Sequence, residues 1–128
     1  MTRDEIFERV KDVLVEALSV EEEDVTPAAV IRDDLGAESI DFLDIQFRLE
    51  KEFGIKIPKG EMMPEDLAAN PAYVQNGKLT LAGIDELERR MPHADFRDLR
   101  AGSDLEEMSK LFTVDAVVNY VQRKLQEK

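Results

Sequence analysis

Residues 33–54 read DDLGAESIDFLDIQFRLEKEFG and contain a complete set of local helix signals. The polar, glycine-containing start predicts a loop, and we expect an α-helix from about Ser39 to Glu52. Gly54 is suited to end this helix, because glycine readily adopts the left-handed conformation that follows a last helical turn. Pro58 comes next and cannot continue a helix. The stretch therefore predicts a loop, one helix of about four turns and a sharp stop.

The predicted helix carries two apolar stripes. The first consists of Phe42, Ile45, Leu49 and Phe53. The second lies nearly opposite and consists of Ile40, Leu43 and Phe47. At about 100° per residue each stripe spans about 80° or less, and a helix at the surface of a small domain needs only one buried stripe. The second stripe must therefore meet a partner, a bound chain or another part of the protein.

Carboxylates border this second stripe, which we call the docking strip. They are Glu38, Asp41, Asp44 and Glu50. Apolar side chains supply contact area, and acidic neighbours steer and align a basic partner. We therefore expect the strip and its acids to bind partner proteins. The alternative is that a later part of the chain packs on the strip and covers it.

Composition excludes several classes of function. The 128 residues include 29 acidic and 17 basic ones, so the net charge of −12 argues against nucleic-acid binding. Residues 1–58 alone carry −9. Cysteine is absent, which excludes a disulfide framework and thiolate chemistry from the chain itself. We expect no membrane span and no signal peptide, and hence a cytoplasmic monomer.

Further helices are predicted on both sides of this stretch. Thr2 and Glu5 form a capping-box pattern before a helix that reaches about Leu18. Its apolar positions are Ile6, Val10, Val13, Leu14 and Ala17. Near the end of the chain, Thr113 is suited to cap a last helix. The apolar positions there are Val114, Val117, Val118, Val121 and Leu125. A shorter helix is expected over 104–110.

The middle of the chain follows a different pattern. Asn76-Gly77 is a hairpin-turn signal between two very short strands. Thr80 is suited to cap a helix that Pro92 stops. We expect one domain, residues 1–128, in which a helical core carries an insertion at about 59–103. We expect His93, within this insertion, to be a surface loop residue.

Asp34–Asp41 closely resembles the motif of the acyl carrier protein family, in which an Asp-Ser-Leu core follows a Leu-Gly turn. The similarity continues through Phe42–Ile45 and Leu49–Pro58 and resumes at Lys110–Val117. It covers about residues 3–58 and 104–126. Here Glu38 stands in place of the usual Asp, Ile40 in place of the usual Leu, and Lys51 where the family often has an acid. The implied fold is all-α, a four-helix bundle with an internal insertion.

The resemblance implies a carrier and not an enzyme. Ser39 would hold a covalent 4'-phosphopantetheine arm, loaded from coenzyme A by a phosphopantetheinyl transferase with Mg²⁺. Acyl groups would be held on the arm as thioesters and delivered to synthases and acyl-transferring enzymes with basic docking surfaces. We expect neither a catalytic residue nor a metal ligand in the chain itself. The unusual middle is similar to specialised carriers, including those that deliver very long hydroxylated chains to lipid A.

Other interpretations remain open at this stage. Ser39 could be an ordinary N-cap, and the protein could be a peptidyl or aminoacyl carrier or an unmodified acidic adaptor. A metal-assisted hydrolase would need Asp33, Asp34 and His93, whose spacing does not support a metal site. The basic residues of the insertion could form a contact site for a dedicated partner enzyme. They are Arg89, Arg90, Arg97 and Arg100.

Overall fold

The computed structural model describes residues 1–58, 61–62, 67–96 and 99–127, apart from the side chains of Ser39 and Ala68. Its α-helices are α1 (Arg3–Leu18), α2 (Ser39–Phe53), α3 (Leu81–Arg90) and α4 (Val114–Glu127). Its antiparallel strands are β1 (Val74–Gln75) and β2 (Lys78–Leu79). Its 3₁₀ helices are Glu22–Asp24, Leu67–Ala69 and Leu105–Leu111. The chain is mainly helical, as predicted, and Arg97 of the proposed contact site lies outside the described residues.

Helix α1 begins with the predicted capping box. The Thr2 hydroxyl oxygen accepts a hydrogen bond from the backbone N–H of Glu5 (3.2 Å). The Glu5 carboxylate in turn accepts one from the N–H of Thr2 (3.1 Å), so two N–H groups left over at the helix start are satisfied. The buried side chains of α1, which packs against α2 and α4, are Ile6, Val10, Val13 and Leu14.

Helices α2 and α4 complete the main core. The first apolar stripe of α2 is buried, and the ring of Phe42 meets the edge of Phe112 at 5.1 Å between centroids. Gly54 follows α2 with φ +64°, the left-handed conformation that the sequence predicts there. The Thr113 hydroxyl oxygen accepts the N–H of Ala116 (3.1 Å) at the start of α4. The predicted boundaries of α1, α2 and α4 are therefore confirmed to within a residue or two.

The part of the chain between α2 and α4 forms a second, smaller hydrophobic cluster. Its buried members are Leu67, Leu79, Ile84, Leu87, Met91, Leu99 and Leu111. Asn76 and Gly77, both with positive φ, form the predicted turn between β1 and β2. Thr80 caps α3 as predicted, because its hydroxyl oxygen accepts the N–H of Gly83 (3.0 Å). Most of this cluster lies within the predicted insertion.

Gly83 marks a close approach between α3 and the segment before β1. A Cβ atom at this position would stand 2.3 Å from the backbone carbonyl oxygen of Tyr73. No side chain tolerates that separation, and the oxygen belongs to backbone that cannot rotate away. Glycine is therefore required for α3 to pack where it does.

The helix predicted at 104–110 is a 3₁₀ helix over Leu105–Leu111. In a 3₁₀ helix, side chains three residues apart lie above one another. Leu105, Met108 and Leu111 have this spacing and all pack on the second cluster. The apolar period of three, rather than the period of 3.6, explains the difference from the prediction.

The prediction that His93 is a surface residue is wrong, since its side chain is 5% exposed. Its ring packs edge-on against Tyr120 (5.1 Å between centroids), and its Nε2 lies 3.2 Å from the carbonyl oxygen of Met62. The Asn119 side-chain amide donates to the carbonyl oxygen of His93 (3.0 Å). The loop after α3 therefore runs directly along α4, and burial of His93 follows from this packing.

Glu61 forms a second link to α4. Its carboxylate accepts a hydrogen bond from the Tyr120 hydroxyl (2.9 Å) and pairs with Lys124. We use the term junction for the contacts of Glu61 and His93 with α4, together with the approach of His93 to Met62.

Candidate functional site

The loop that leads into α2 is fixed from both sides. The Asp34 carboxylate accepts the backbone N–H of Val30 (2.7 Å), and the N–H of Ile31 bonds to the carbonyl oxygen of Phe112 (3.0 Å). Leu35 and Ala37 are buried in the main core. The backbone that delivers the chain to the start of α2 is therefore held in one place by the bundle.

Gly36 leaves the outer side of this loop open. Its φ of +74° is one that glycine adopts without strain, and a Cβ built on it meets no atom within 4 Å. The space beside the loop is accessible to another molecule. A protein that approached the start of α2 would meet bare backbone at this point.

Ser39 is the first residue of α2, and Glu38 is the N-cap. The interpretation of Ser39 as an ordinary N-cap is therefore wrong. The Asp41 carboxylate accepts the N–H of Glu38 (2.8 Å), which fixes the backbone immediately before the serine. The first turn of a helix leaves N–H groups unpaired, and together with the helix dipole they favour a phosphate.

The docking strip is exposed to solvent. Ile40 is 72% exposed, Leu43 63% and Phe47 54%. The alternative in which the insertion packs on these side chains is therefore wrong for the described part of the insertion. Large apolar side chains grouped on one helix face, next to a loop with open access, are typical of an interaction surface.

The four acids beside the strip do not all serve the same purpose. Asp41 caps α2, and the Glu50 carboxylate accepts the N–H of Ile57 (3.0 Å), so both carboxylates hold backbone. Asp44 pairs with Arg48 (2.9 Å), and both side chains are partly exposed. Glu38 is exposed beside the serine. The Glu38–Asp41 spacing carries a capping signal, but no local signal in the sequence indicates the role of Glu50.

Lys51 modifies the far end of the strip. Its ammonium lies 4.6 Å from the centroid of the Phe47 ring, within the range of a cation–π interaction. The strip therefore runs from acidic side chains near Ser39 to a positive charge about three turns away. Sequence comparison with the family motif marked Lys51 as unusual, and the contact with Phe47 gives it a definite place.

The described residues contain no cluster of three or more His, Asp or Glu side chains arranged to hold a metal. Asp34 holds the loop and His93 packs in the junction, so the hydrolase alternative gains nothing from the structure. None of the helices in the described ranges combines the length and apolar character that a membrane crossing requires.

Comparison with known proteins gives consistent results. A family profile described as a phosphopantetheine attachment site matches residues 8–69, which include the loop and all of α2. The acyl carrier protein of Petrotoga mobilis is 38% identical over 85 residues, 66% of this chain and 100% of that protein. The acyl carrier protein of Thermotoga maritima is 43% identical over 61 residues, 48% of this chain and 75% of that protein. A Rhizobium etli protein named acyl carrier protein AcpXL is 48% identical over 52 residues, 41% of this chain and 56% of that protein.

Proposed function

This chain belongs to the acyl carrier protein family, and we propose that its 4'-phosphopantetheine arm is attached to the side-chain oxygen of Ser39. The family consists of carriers and not enzymes, and the arm is its covalent prosthetic group. The observation that carries the proposal is the position of Ser39 at the start of α2, between exposed Glu38 and exposed Ile40.

The residues around this position suit a phosphate-linked group. The N-terminus of α2 offers N–H groups and a positive dipole end to the phosphate. Asp41 and Asp34 fix the backbone on which the serine stands, and Gly36 leaves the approach open. When bound, the group supplies a thiol for thioester formation, which this cysteine-free chain does not have.

The one histidine of the chain is engaged elsewhere and does not serve as a base for Ser39. A serine hydroxyl is a weak nucleophile unless a neighbouring group removes its proton. The sole histidine, His93, is buried in the junction against Tyr120. We infer that a phosphopantetheinyl transferase provides the activation, and that Ser39 is a substrate of modification.

We propose that acyl-handling enzymes bind the docking strip together with the acids beside it. Ile40, Leu43 and Phe47 supply apolar contact area on one face of α2. The net charge of −9 over residues 1–58 attracts basic partners over distance. Asp41 and Glu50 contribute charge while holding backbone, whereas Glu38 and Asp44 can adapt to a partner.

We propose that this carrier is a cytoplasmic monomer that works in specialised fatty-acid or lipid synthesis. The resemblance of the unusual middle of the chain to specialised carriers supports this assignment. We also propose that residues 59–103 are an insertion. The whole Petrotoga relative is matched over 85 residues, whereas this chain has 128 and forms a second hydrophobic cluster. The mass of the group bound to protein purified from its own host would distinguish an acyl carrier from a peptidyl carrier.

Intact-mass spectrometry tests the attachment site. Incubation with coenzyme A, Mg²⁺ and a broad-specificity transferase should add the mass of one phosphopantetheine to the wild type. Ser39→Ala should gain nothing, while Ser109→Ala, which changes another helical serine, should be modified like the wild type. An unmodified wild type in the presence of a demonstrably active transferase would support the adaptor alternative instead.

A further inference from the structure

A cavity of about 170 Å³ opens at the junction, where the end of α3 meets the last turns of α4. Its basic lining residues are Arg89, Arg90, Arg123 and Lys124. Its acidic ones are Glu61 and Glu127. Among the described lining residues, four basic side chains therefore stand beside two acidic ones, in a chain whose net charge is −12. The described cavity wall is therefore richer in basic than in acidic side chains, whereas the chain as a whole is richer in acidic ones.

Part of this positive charge is already balanced. Arg89 donates two hydrogen bonds to Glu86 (2.7 and 2.6 Å), and these lower the pKa of the Glu86 carboxyl. Burial raises the pKa of Glu61, but the hydrogen bonds from Lys124 and Tyr120 outweigh it and hold the pKa below its ordinary value. Basic residues near a helix C-terminus also interact favourably with the helix dipole. Arg90 also donates a hydrogen bond to Glu86 (2.9 Å), so structural roles account for Arg89, Arg90 and Lys124.

Arg123 has no such role. Its side chain is exposed and lines the cavity, and within the described ranges it forms neither an ion pair nor a hydrogen bond. Its positive charge reaches His93 on the cavity wall. Burial is the main cause that lowers the pKa of His93, and the Arg123 guanidinium lowers it further, while the hydrogen bond to Met62 opposes both. A guanidinium that has no anionic partner within the described ranges, on the wall of a cavity, offers the hydrogen-bond donors that a phosphate accepts.

We propose that this cavity binds a phosphate group through the Arg123 guanidinium, with Lys124 and Arg89 contributing positive charge. The concave, compact shape suits a small group rather than a peptide. The phosphate can belong to a soluble phosphate ester or to a phospholipid headgroup. This site does not depend on the role of Ser39.

His93 provides a direct reporter, because it is the only histidine in the chain and lines the cavity. The charged groups around it are Glu61 and Arg123 on the cavity side and Glu88, Asp95 and Asp115 along the neighbouring groove. Sulfate serves as the probe, since it remains a dianion throughout the titration range of histidine. The pKa of His93 is followed by NMR with sulfate and with chloride at equal ionic strength.

Sulfate should raise the pKa of His93 in the wild type, because a bound anion stabilises the imidazolium. Arg123→Gln should raise that pKa without sulfate and weaken sulfate binding by roughly tenfold or more, the effect of losing a charge-assisted hydrogen bond. Arg32→Gln changes an exposed arginine that does not line the cavity and should behave like the wild type.

Equal effects of sulfate and chloride would overturn the proposal, because they would show only general screening. Unchanged sulfate binding by Arg123→Gln would also overturn it. Inorganic phosphate at constant pH should reproduce the sulfate result. Flotation with vesicles of phosphatidylcholine plus phosphatidic acid, but not of phosphatidylcholine alone, would assign the site to a lipid headgroup. Binding of inorganic phosphate without flotation would assign it to a soluble phosphate ester.

Discussion

The two hydrophobic clusters of this chain are of unequal strength. In the described part of the chain the main cluster contains 22 buried residues, most of them on three long helices or the loop before α2. The second contains seven, on two-residue strands, the ten-residue α3, the 3₁₀ helices and connecting loops. A core of seven residues is too small to be stable alone, so the second cluster depends on the bundle. The loop and helix that carry Ser39 belong entirely to the stronger cluster.

We therefore expect a destabilising substitution in the main cluster to lower the stability of the whole domain, and one in the second cluster to have a local effect only. Ile45→Ala deletes a fully buried side chain of α2 and should lower the free energy of unfolding by about 2–5 kcal/mol. Urea unfolding followed by circular dichroism measures the loss. Ile40→Ala, on the same helix but 72% exposed, should change stability by no more than about 0.5 kcal/mol. Similar losses for the two variants would contradict the burial pattern of α2.

Gly83→Ala tests the second cluster alone. The new Cβ would collide with the carbonyl oxygen of Tyr73, and we expect a local loss of about 1–3 kcal/mol. Amide hydrogen exchange should accelerate in β1, β2 and α3 while α1 and α2 keep their protection. Modification of Ser39 should proceed at the wild-type rate.

The exposed neighbour Ala82, changed to Ser, is the matched control and should leave exchange in β1 and β2 unchanged. Equal acceleration in α2 and α3 of Gly83→Ala would show that the two clusters unfold as one cooperative unit. The comparison between them would then lose its basis.

Features formed by residues that are close in sequence could be predicted from the sequence alone. The ends of α1 and α2 follow from local signals, namely the Thr2–Glu5 capping box and Gly54, which act within a few residues. The turn at residues 76–77 is equally local. These features are formed by neighbours in sequence, so pattern and spacing are sufficient to predict them.

Features that depend on how separate parts of the chain pack together could not be predicted in this way. Burial of His93 requires the loop after α3 to run along Tyr120, a contact between residues 27 positions apart in a region without a recognisable pattern. Glu50 binds the N–H of Ile57 only because the chain reverses after Gly54. Helical periodicity likewise does not specify which of the two apolar stripes of α2 is exposed, and the structure shows that it is the docking strip.

A smaller effect is expected at the junction that joins the clusters. Tyr120→Phe removes the hydroxyl that donates to Glu61, while the pairing of Glu61 with Lys124 remains. We expect a loss of about 1 kcal/mol, the usual net value of one hydrogen bond. Chemical denaturation gives the total, and amide exchange of Met62 and His93 shows whether the loss is local. Tyr73→Phe, at the only other tyrosine, should have less effect, and the reverse order would show that the Glu61 bond does not hold the junction.

The smallest expected effect is a pH dependence that originates at the same junction. Burial holds the pKa of His93 below its ordinary value of 6.5 in the folded state. Below about pH 6.5 the unfolded chain therefore binds a proton that the folded chain does not, and stability falls as the pH decreases. His93→Gln keeps an N–H that can donate to Met62 but does not titrate, so its stability should vary less between about pH 7.5 and pH 5.5. Glu61, whose pKa lies below 4.5, loses its contribution only at lower pH, so the two groups separate in the measurement. Identical slopes for wild type and variant would mean that protonation of the buried imidazole does not weaken the fold, and the contribution of His93 would then come only from its packing against Tyr120 and its hydrogen bond from Asn119.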